Sequence, residues 1–185
     1  LETIPAIAAD FERIFGRDSG GLLHTYRCED ALTVVVALGS VLGTIKETVD
    51  ALREQGHGIG VLGITSFRPF PLAAVREALR HAERVIVLEK SFSVGLGGIL
   101  ANDVRMAMTG TRRFGYTIVA GLGGRAITRA SLTRLFEDAE RDALEQVTFL
   151  DLNAEVVSGE LERESRTRRS GPTAEAILRR IGTVA

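Results

Sequence analysis

Leu32-Thr33-Val34-Val35-Val36-Ala37-Leu38-Gly39-Ser40-Val41-Leu42-Gly43-Thr44 is the stretch that decides the fold. Its β-branched apolar run has no polar face, so it reads as a strand covered on both sides, and Gly39-Ser40 ends it. From Gly43 to Gln55 the spacing changes. Ile45, Val49 and Leu52 recur at helical intervals, and Gly56 is a C-terminal stop. A buried strand passing through a glycine turn into an amphipathic helix is the first half of a βαβ unit.

Downstream the pattern repeats. Ile59–Ile64 reads as a second strand, and Pro71 opens a helix over Leu72–His81 with Val75, Ala78 and Leu79 on one side. Arg84–Glu89 is a third strand, and Gly95-Leu96-Gly97-Gly98 leads into a helix through about Met108. Tyr116–Ala120 is a fourth strand, followed by Gly121-Leu122-Gly123-Gly124. Thr128 is the candidate N-cap of a helix over Arg129–Leu144, and Val147–Leu150 is a candidate fifth strand. This alternation predicts an α/β fold of three layers, αβα, around a mostly parallel five-stranded sheet spanning residues 32–152.

The flanks read differently. Residues 1–31 hold a helix, with Ile7, Phe11 and Ile14 on one face, and a connecting segment with an extended Thr25-Tyr26-Arg27. Residues 153–185 read as a charged linker and a short amphipathic helix, Ala174–Ile181. The linker is most charged over 158–171, where Arg166-Thr167-Arg168-Arg169 is read as solvated, with contact to a partner as the alternative. Leu1 in place of Met, and a start in mid-helix, hint at a longer protein.

Composition narrows the function classes. The 185 residues are 45% hydrophobic and 25% charged, a globular balance. A net charge of −1 provides no field to recruit nucleic acid or an anionic membrane. No apolar run nears the roughly 20 residues of a bilayer span. The single cysteine, Cys28, excludes an internal disulfide and any four-cysteine cluster or zinc site built by this chain alone. His24, His57 and His81 show no metal-ligand spacing. A cytoplasmic location fits this cysteine usage.

Three glycine turns follow strands, where backbone N–H groups favour anions: Gly39–Gly43, Gly95–Gly98 and Gly121–Arg125. The third contains Gly121, Gly123 and Ala126, a formal G-x-G-x-x-A match. It is discounted because the N-cap, Thr128, comes two residues too late, because the position about 20 residues on, around Glu145, lies at a helix end or in the loop after it where an acidic strand end is needed, and because the match falls on the fourth βα turn. Ser40 has no histidine placed as its base, so it is read as a capping or turn residue. Glu89 ends an apolar strand at the ligand-binding edge. Acid/base work there is conceivable, but an ion pair with Lys90 or a nearby arginine is the favoured reading. Arg68, in Phe67-Arg68-Pro69-Phe70-Pro71, lies in a loop fixed by two prolines and flanked by aromatics that would bury it. It suits either a partner carboxylate or anion, or an internal ion pair, and the internal pair is favoured.

Four motifs stand in register: Val36–Thr44, Phe67–Pro71, Val87-Leu88-Glu89-Lys90-Ser91 and Gly121–Thr128. Together they resemble the transketolase C-terminal-type domain. Phe-Arg-Pro-Phe-Pro and Gly-Leu-Gly-Gly-Arg point to its branch in the alpha part of pyruvate (2-oxoacid):ferredoxin oxidoreductases. The resemblance covers about residues 25–145 and departs at Ala126, where many members carry an acidic residue. It implies a multi-domain enzyme that decarboxylates a 2-oxoacid on thiamine diphosphate and Mg²⁺, passes electrons through [4Fe-4S] clusters to ferredoxin, and releases acyl-CoA from coenzyme A. It also implies that this domain binds none of those cofactors and supplies no catalytic residue, but supports the thiamine domains and the iron–sulfur parts as a structural and assembly domain. The interface or anion-binding candidates are Gly39, Ser40, Arg68, Gly121, Gly123, Gly124, Arg125 and Thr128. The competing readings are the equivalent domain of a dehydrogenase E1 beta subunit or transketolase-like enzyme, a stand-alone nucleotide-binding module using Gly121, Gly123 and Ala126, and a detached oligomerisation domain.

Overall fold

A computed structural model describes residues 1–111 and 114–166. They form two compact units, Leu1–Asp151 and a second beginning at Leu152.

In the first unit the run at Thr33–Ala37 is a strand with every residue buried. Successive side chains alternate between faces, so one run of valines supplies two cores. Val35 and Ala37 pack with Ile45, Val49 and Leu52 of the helix Val41–Glu54 and with Leu132, Leu135 and Phe136 of the helix Arg129–Glu140. Val34 and Val36 face the other way, onto Val75 and Leu79 and onto Leu100 and Val104 of the helix Ile99–Ala107. Burying a Val, Leu or Ile side chain stabilises by about 1.5–3 kcal/mol. Those two cores are therefore what the alternation of elements achieves.

In chain order the elements are α1 (Thr3–Phe15), β1 (Leu23–Tyr26), β2 (Thr33–Ala37), α2 (Val41–Glu54), β3 (Ile59–Ile64), α3 (Leu72–Ala78), β4 (Arg84–Glu89), α4 (Ile99–Ala107), β5 (Phe114–Val119), a 3-10 turn (Leu122–Gly124), α5 (Arg129–Glu140), β6 (Val147–Phe149) and α6 (Ala154–Arg166). The sheet order is β1-β3-β2-β4-β5-β6. α2 lies beside α5 and α3 beside α4, giving the expected three layers. Among the described residues the sheet has six strands rather than five. The extra one, β1, pairs antiparallel with β3, Leu23 opposite Ile64 and Tyr26 opposite Val61. Its four residues show no clean alternation, so the sequence marked only Thr25–Arg27 as extended.

Helix limits also move. α2 starts at Val41, two residues before the expected Gly43, because Val41 is itself buried in the core. α3 stops at Ala78, short of His81, and α5 at Glu140, short of Leu144; shortly after α5, Asp142 takes a left-handed φ of 52°.

The second unit corrects the linker reading. Ala154–Arg166 is a helix. Asn153 Oδ1 accepts from Val156 N–H at 3.1 Å, an N-cap, and Arg163 pairs with Glu160 at 2.8 Å. High charge density hid a segment of good helix formers. The rest of the basic run and the expected helix Ala174–Ile181 lie outside the described residues.

Candidate functional site

From β2 the chain first builds outward to β3, then crosses back so that β4, β5 and β6 extend the sheet on the other side. The strand order reverses between β2 and β4, and in open parallel sheets the crevice at the carboxyl ends beside such a reversal is where ligands and partners meet the fold. A crevice of about 450 Å³ lies there. Leu38, Val41, Phe67, Leu88 and Leu100 make its walls largely apolar, and Ser40, Glu89 and Lys90 contribute its polar atoms.

Glu89 is the charged residue to test first, because only 6% of it is exposed. Its Oε2 accepts from Leu100 N–H at 3.0 Å and its Oε1 from Ala101 N–H at 3.1 Å. These two donors belong to the first turn of α4, which has no intrahelical partner for them. The carboxylate also meets the positive end of the helix dipole. A Cβ on Gly98 would run into this carboxylate, so the glycine before α4 is what lets Glu89 reach the helix end. The expected ion pair with Lys90 or an arginine is not how Glu89 is satisfied. Backbone N–H groups, whose positions a sequence does not display, take that place.

Gly39 and Ser40 stand at the start of α2. Gly39 has a φ of 79°, and its carbonyl accepts from Leu42 N–H at 3.2 Å. Ser40 is the boundary residue, but its side chain makes no capping hydrogen bond, so it is a turn residue and not a cap.

Arg68 is paired within the chain. Its Nη1 donates to Asp103 Oδ2 of α4 and to the Phe67 carbonyl, both at 2.8 Å, and its guanidinium lies 4.0 Å from the centre of the Phe67 ring. The aromatics do not bury it as expected: the side chain is 54% exposed. The proline loop swings Arg68 out along Phe67 so that it ties the β3–α3 connection to α4.

The Gly121–Thr128 connection follows β5. Gly121, Gly123 and Gly124 all adopt left-handed φ (71°, 65° and 80°) around the 3-10 turn, and Thr128 caps α5, its Oγ1 accepting from Ser131 N–H at 3.1 Å. The glycines therefore lead into an extended segment, and no helix N-terminus receives them. A dinucleotide turn needs the reverse. Arg125 is partnered within the chain. Its Nη1 donates to the carbonyl of Asp151, whose carboxylate pairs with Arg134 at 3.3 Å. Asp103 and Asp151 carried no signal in the sequence, since their partners lie 35 and 26 residues away.

All eight residues singled out thus lie at one end of the sheet, but on three separate connections, and they do not converge on a common point. Groups with shifted proton affinity lie at the other end. Arg53 donates to Asp30 and holds its carboxyl below the usual range, Arg84 does the same for Asp142, and burial pushes the Cys28 thiol up. Among the described residues no group of three or more His, Cys, Asp or Glu could hold a metal ion, and no helix is long and apolar enough to cross a membrane.

Known proteins share this sequence and fold. The pyruvate synthase subunit PorA of Methanosarcina barkeri is 39% identical over 166 residues, covering 85% of this chain and 41% of that protein. The ketoisovalerate oxidoreductase subunit VorA of Pyrococcus horikoshii is 34% identical over 142 residues, covering 76% and 36%. The chain therefore spans well under half the length of these relatives. A solved 2-oxoglutarate:ferredoxin oxidoreductase from Magnetococcus marinus, with 2-oxoglutarate, coenzyme A and succinyl-CoA bound, shares the fold, with a TM-score of 0.52 at 21% identity over 70% of this chain and 21% of that one. The model of the pyruvate:ferredoxin oxidoreductase core domain II matches residues 31–132, more than half of the sequence, and the chain belongs to that family.

Proposed function

We propose that this chain is a non-catalytic structural and assembly domain of a thiamine diphosphate-dependent 2-oxoacid:ferredoxin oxidoreductase, which converts pyruvate or a related 2-oxoacid to acyl-CoA and reduces ferredoxin. The family match and the two kinds of curated relative, pyruvate and ketoisovalerate enzymes, support the reaction class. The observation that carries the non-catalytic part is Glu89. The one buried carboxylate in the crevice has both oxygens engaged by backbone N–H groups of the first turn of α4, the bonding of a group that caps a helix end.

The cofactors of such an enzyme do not fit the donors present here. A [4Fe-4S] cluster takes four thiolates and the chain has one cysteine. Mg²⁺ with a diphosphate needs one or two protein oxygens beside the phosphates, and the Gly-Asp-Gly turn followed by an asparagine that would supply them does not occur in the sequence. Thiamine diphosphate, Mg²⁺ and iron–sulfur clusters are accordingly assigned to other domains or subunits, and coenzyme A to the enzyme as a whole. Gly39, Ser40, Arg68, Gly121, Gly123, Gly124, Arg125 and Thr128 are assigned to shaping a surface for those partners. The working compartment is the cytoplasm, with neither a membrane nor nucleic acid as partner.

The test is reconstitution. The remaining polypeptides of the oxidoreductase are assayed for 2-oxoacid-dependent, coenzyme A-dependent reduction of ferredoxin, with and without this chain. The expected result is that the chain alone is inactive and that the stable, active assembly requires it. Full activity and an unchanged assembly in its absence would refute the proposal.

A further inference from the structure

Between β4 and α4 the chain makes a tight hairpin. Ser93 N–H donates to the Gly97 carbonyl at 2.9 Å, Gly97 N–H donates to the Ser93 carbonyl at 2.7 Å, and Leu96 N–H also reaches Ser93 at 3.0 Å. At its tip Val94 is 97% exposed and Leu96 63%. Leu38 after β2, Phe92 at the base of the hairpin and Leu122 after β5 are also exposed, so three connections bring five large apolar side chains to the carboxyl end of the sheet. Scattered single apolar residues are ordinary on a surface, but such a cluster at one edge marks an interaction site. The hairpin is closed by reciprocal hydrogen bonds and Phe92 rests edge-on against Phe149 at 5.2 Å. The tip is thus held in place before any partner arrives, which lowers the ordering cost of binding.

The charges at this end are unbalanced. Glu89 is engaged by α4, Asp103 by Arg68 and Asp151 by Arg134. Lys90 is exposed, lies against the turn at Gly121, and has no carboxylate partner among the described residues. The partner should therefore bring an acidic group.

Resting on the assembly reading above, we propose that this edge seats the remainder of the oxidoreductase. The Val94-Gly95-Leu96 tip enters an apolar socket on that protein, an apolar side chain of the partner fills the crevice between β2 and β4, and a partner carboxylate meets Lys90. The occupant is chosen on two grounds. The curated relatives are subunits of which this chain spans only 34–41%, so most of such a subunit lies outside what is matched here. An unpaired cation beside an apolar tip is complementary to an acidic-rimmed socket, whereas two copies of this edge would bring Lys90 toward Lys90.

The experiment co-produces the full chain with the polypeptides of the oxidoreductase that carry the thiamine diphosphate and iron–sulfur sites, and measures affinity by surface plasmon resonance. The double variant Val94→Asp/Leu96→Asp should weaken association at least about tenfold, and Lys90→Glu should weaken it and reduce its salt dependence. Met106→Asp, at another exposed apolar position, on α4, should leave affinity unchanged. The changes are at exposed sites, and an unchanged melting curve verifies folding. In the wild-type assembly the amides of Ser93–Gly97 should gain hydrogen-exchange protection. Wild-type association that the tip variant does not weaken, association broken only by Ile7→Asp/Ile14→Asp on α1, or tip-dependent pairing of two copies of this chain would each overturn the proposal while leaving the assembly reading standing. Failure of the wild-type chain to associate at all would overturn both.

Discussion

Replacing Glu89 by Ala separates a structural carboxylate from a catalytic one. The substitution removes two charge-assisted hydrogen bonds, to Leu100 and Ala101 N–H, and leaves two donors of the first turn of α4 to find water in the adjoining crevice. Hydrogen bonds to a charged group contribute about 1.5–3 kcal/mol each, and rehydration recovers part of that. The expected loss is about 2–4 kcal/mol. In a chain of this size each kcal/mol moves Tm by about 2–4 °C, so the midpoint should fall by roughly 5–15 °C. Glu89→Gln keeps one acceptor oxygen but turns an NH₂ group toward a backbone donor, and should lose about half as much. Thermal unfolding followed by circular dichroism reads both variants. A Glu89→Ala protein melting within about 1 °C of the wild type would refute the capping role and return Glu89 to the list of acid/base candidates.

Four further outcomes are expected. Gly98→Ala places a methyl group against the Glu89 carboxylate, so it should destabilise to a similar degree, and combining it with Glu89→Ala should cost less than the sum, as a double-mutant cycle in unfolding free energy would show. Thr128→Ala removes the α5 cap and should cost about 1 kcal/mol in urea unfolding. Gly123→Val forces a β-branched residue into a φ of 65° and should cost about 1–3 kcal/mol although no atom stands in its way. Asp142→Asn tests the Arg84 contact at 2.9 Å. The folded carboxyl titrates below its unfolded value, so its stabilisation is present above the unfolded pKa and is lost as pH falls through the folded one. The variant's Tm deficit should be full at about pH 7 and fade toward about pH 2.

The layered core was legible because it rests on local periodicity. Valines at 34–36 and the spacing of Ile45, Val49 and Leu52 specify a two-faced strand and a one-faced helix wherever the chain goes. Thr128 was legible for the same reason, since a cap acts on the next turn. What could not be read were contacts between residues far apart in sequence. Asp103 meets Arg68 and Asp151 meets Arg125 only because the sheet brings three loops to one edge. Glu89 was misassigned because its partners are main-chain groups, which every residue possesses and no residue advertises. β1 was missed because four residues pairing antiparallel at an edge need no alternation, and α6 because charged residues serve a solvent-exposed helix as readily as a linker.

The proposed role of this domain is to lend surfaces to an enzyme while carrying none of its cofactors. Isothermal titration of the folded chain with thiamine diphosphate and Mg²⁺ tests it most directly. The account predicts no saturable heat up to millimolar ligand, a Kd weaker than about 1 mM. Stoichiometric binding in the micromolar range, abolished by a substitution in the β2–β4 crevice, would contradict it.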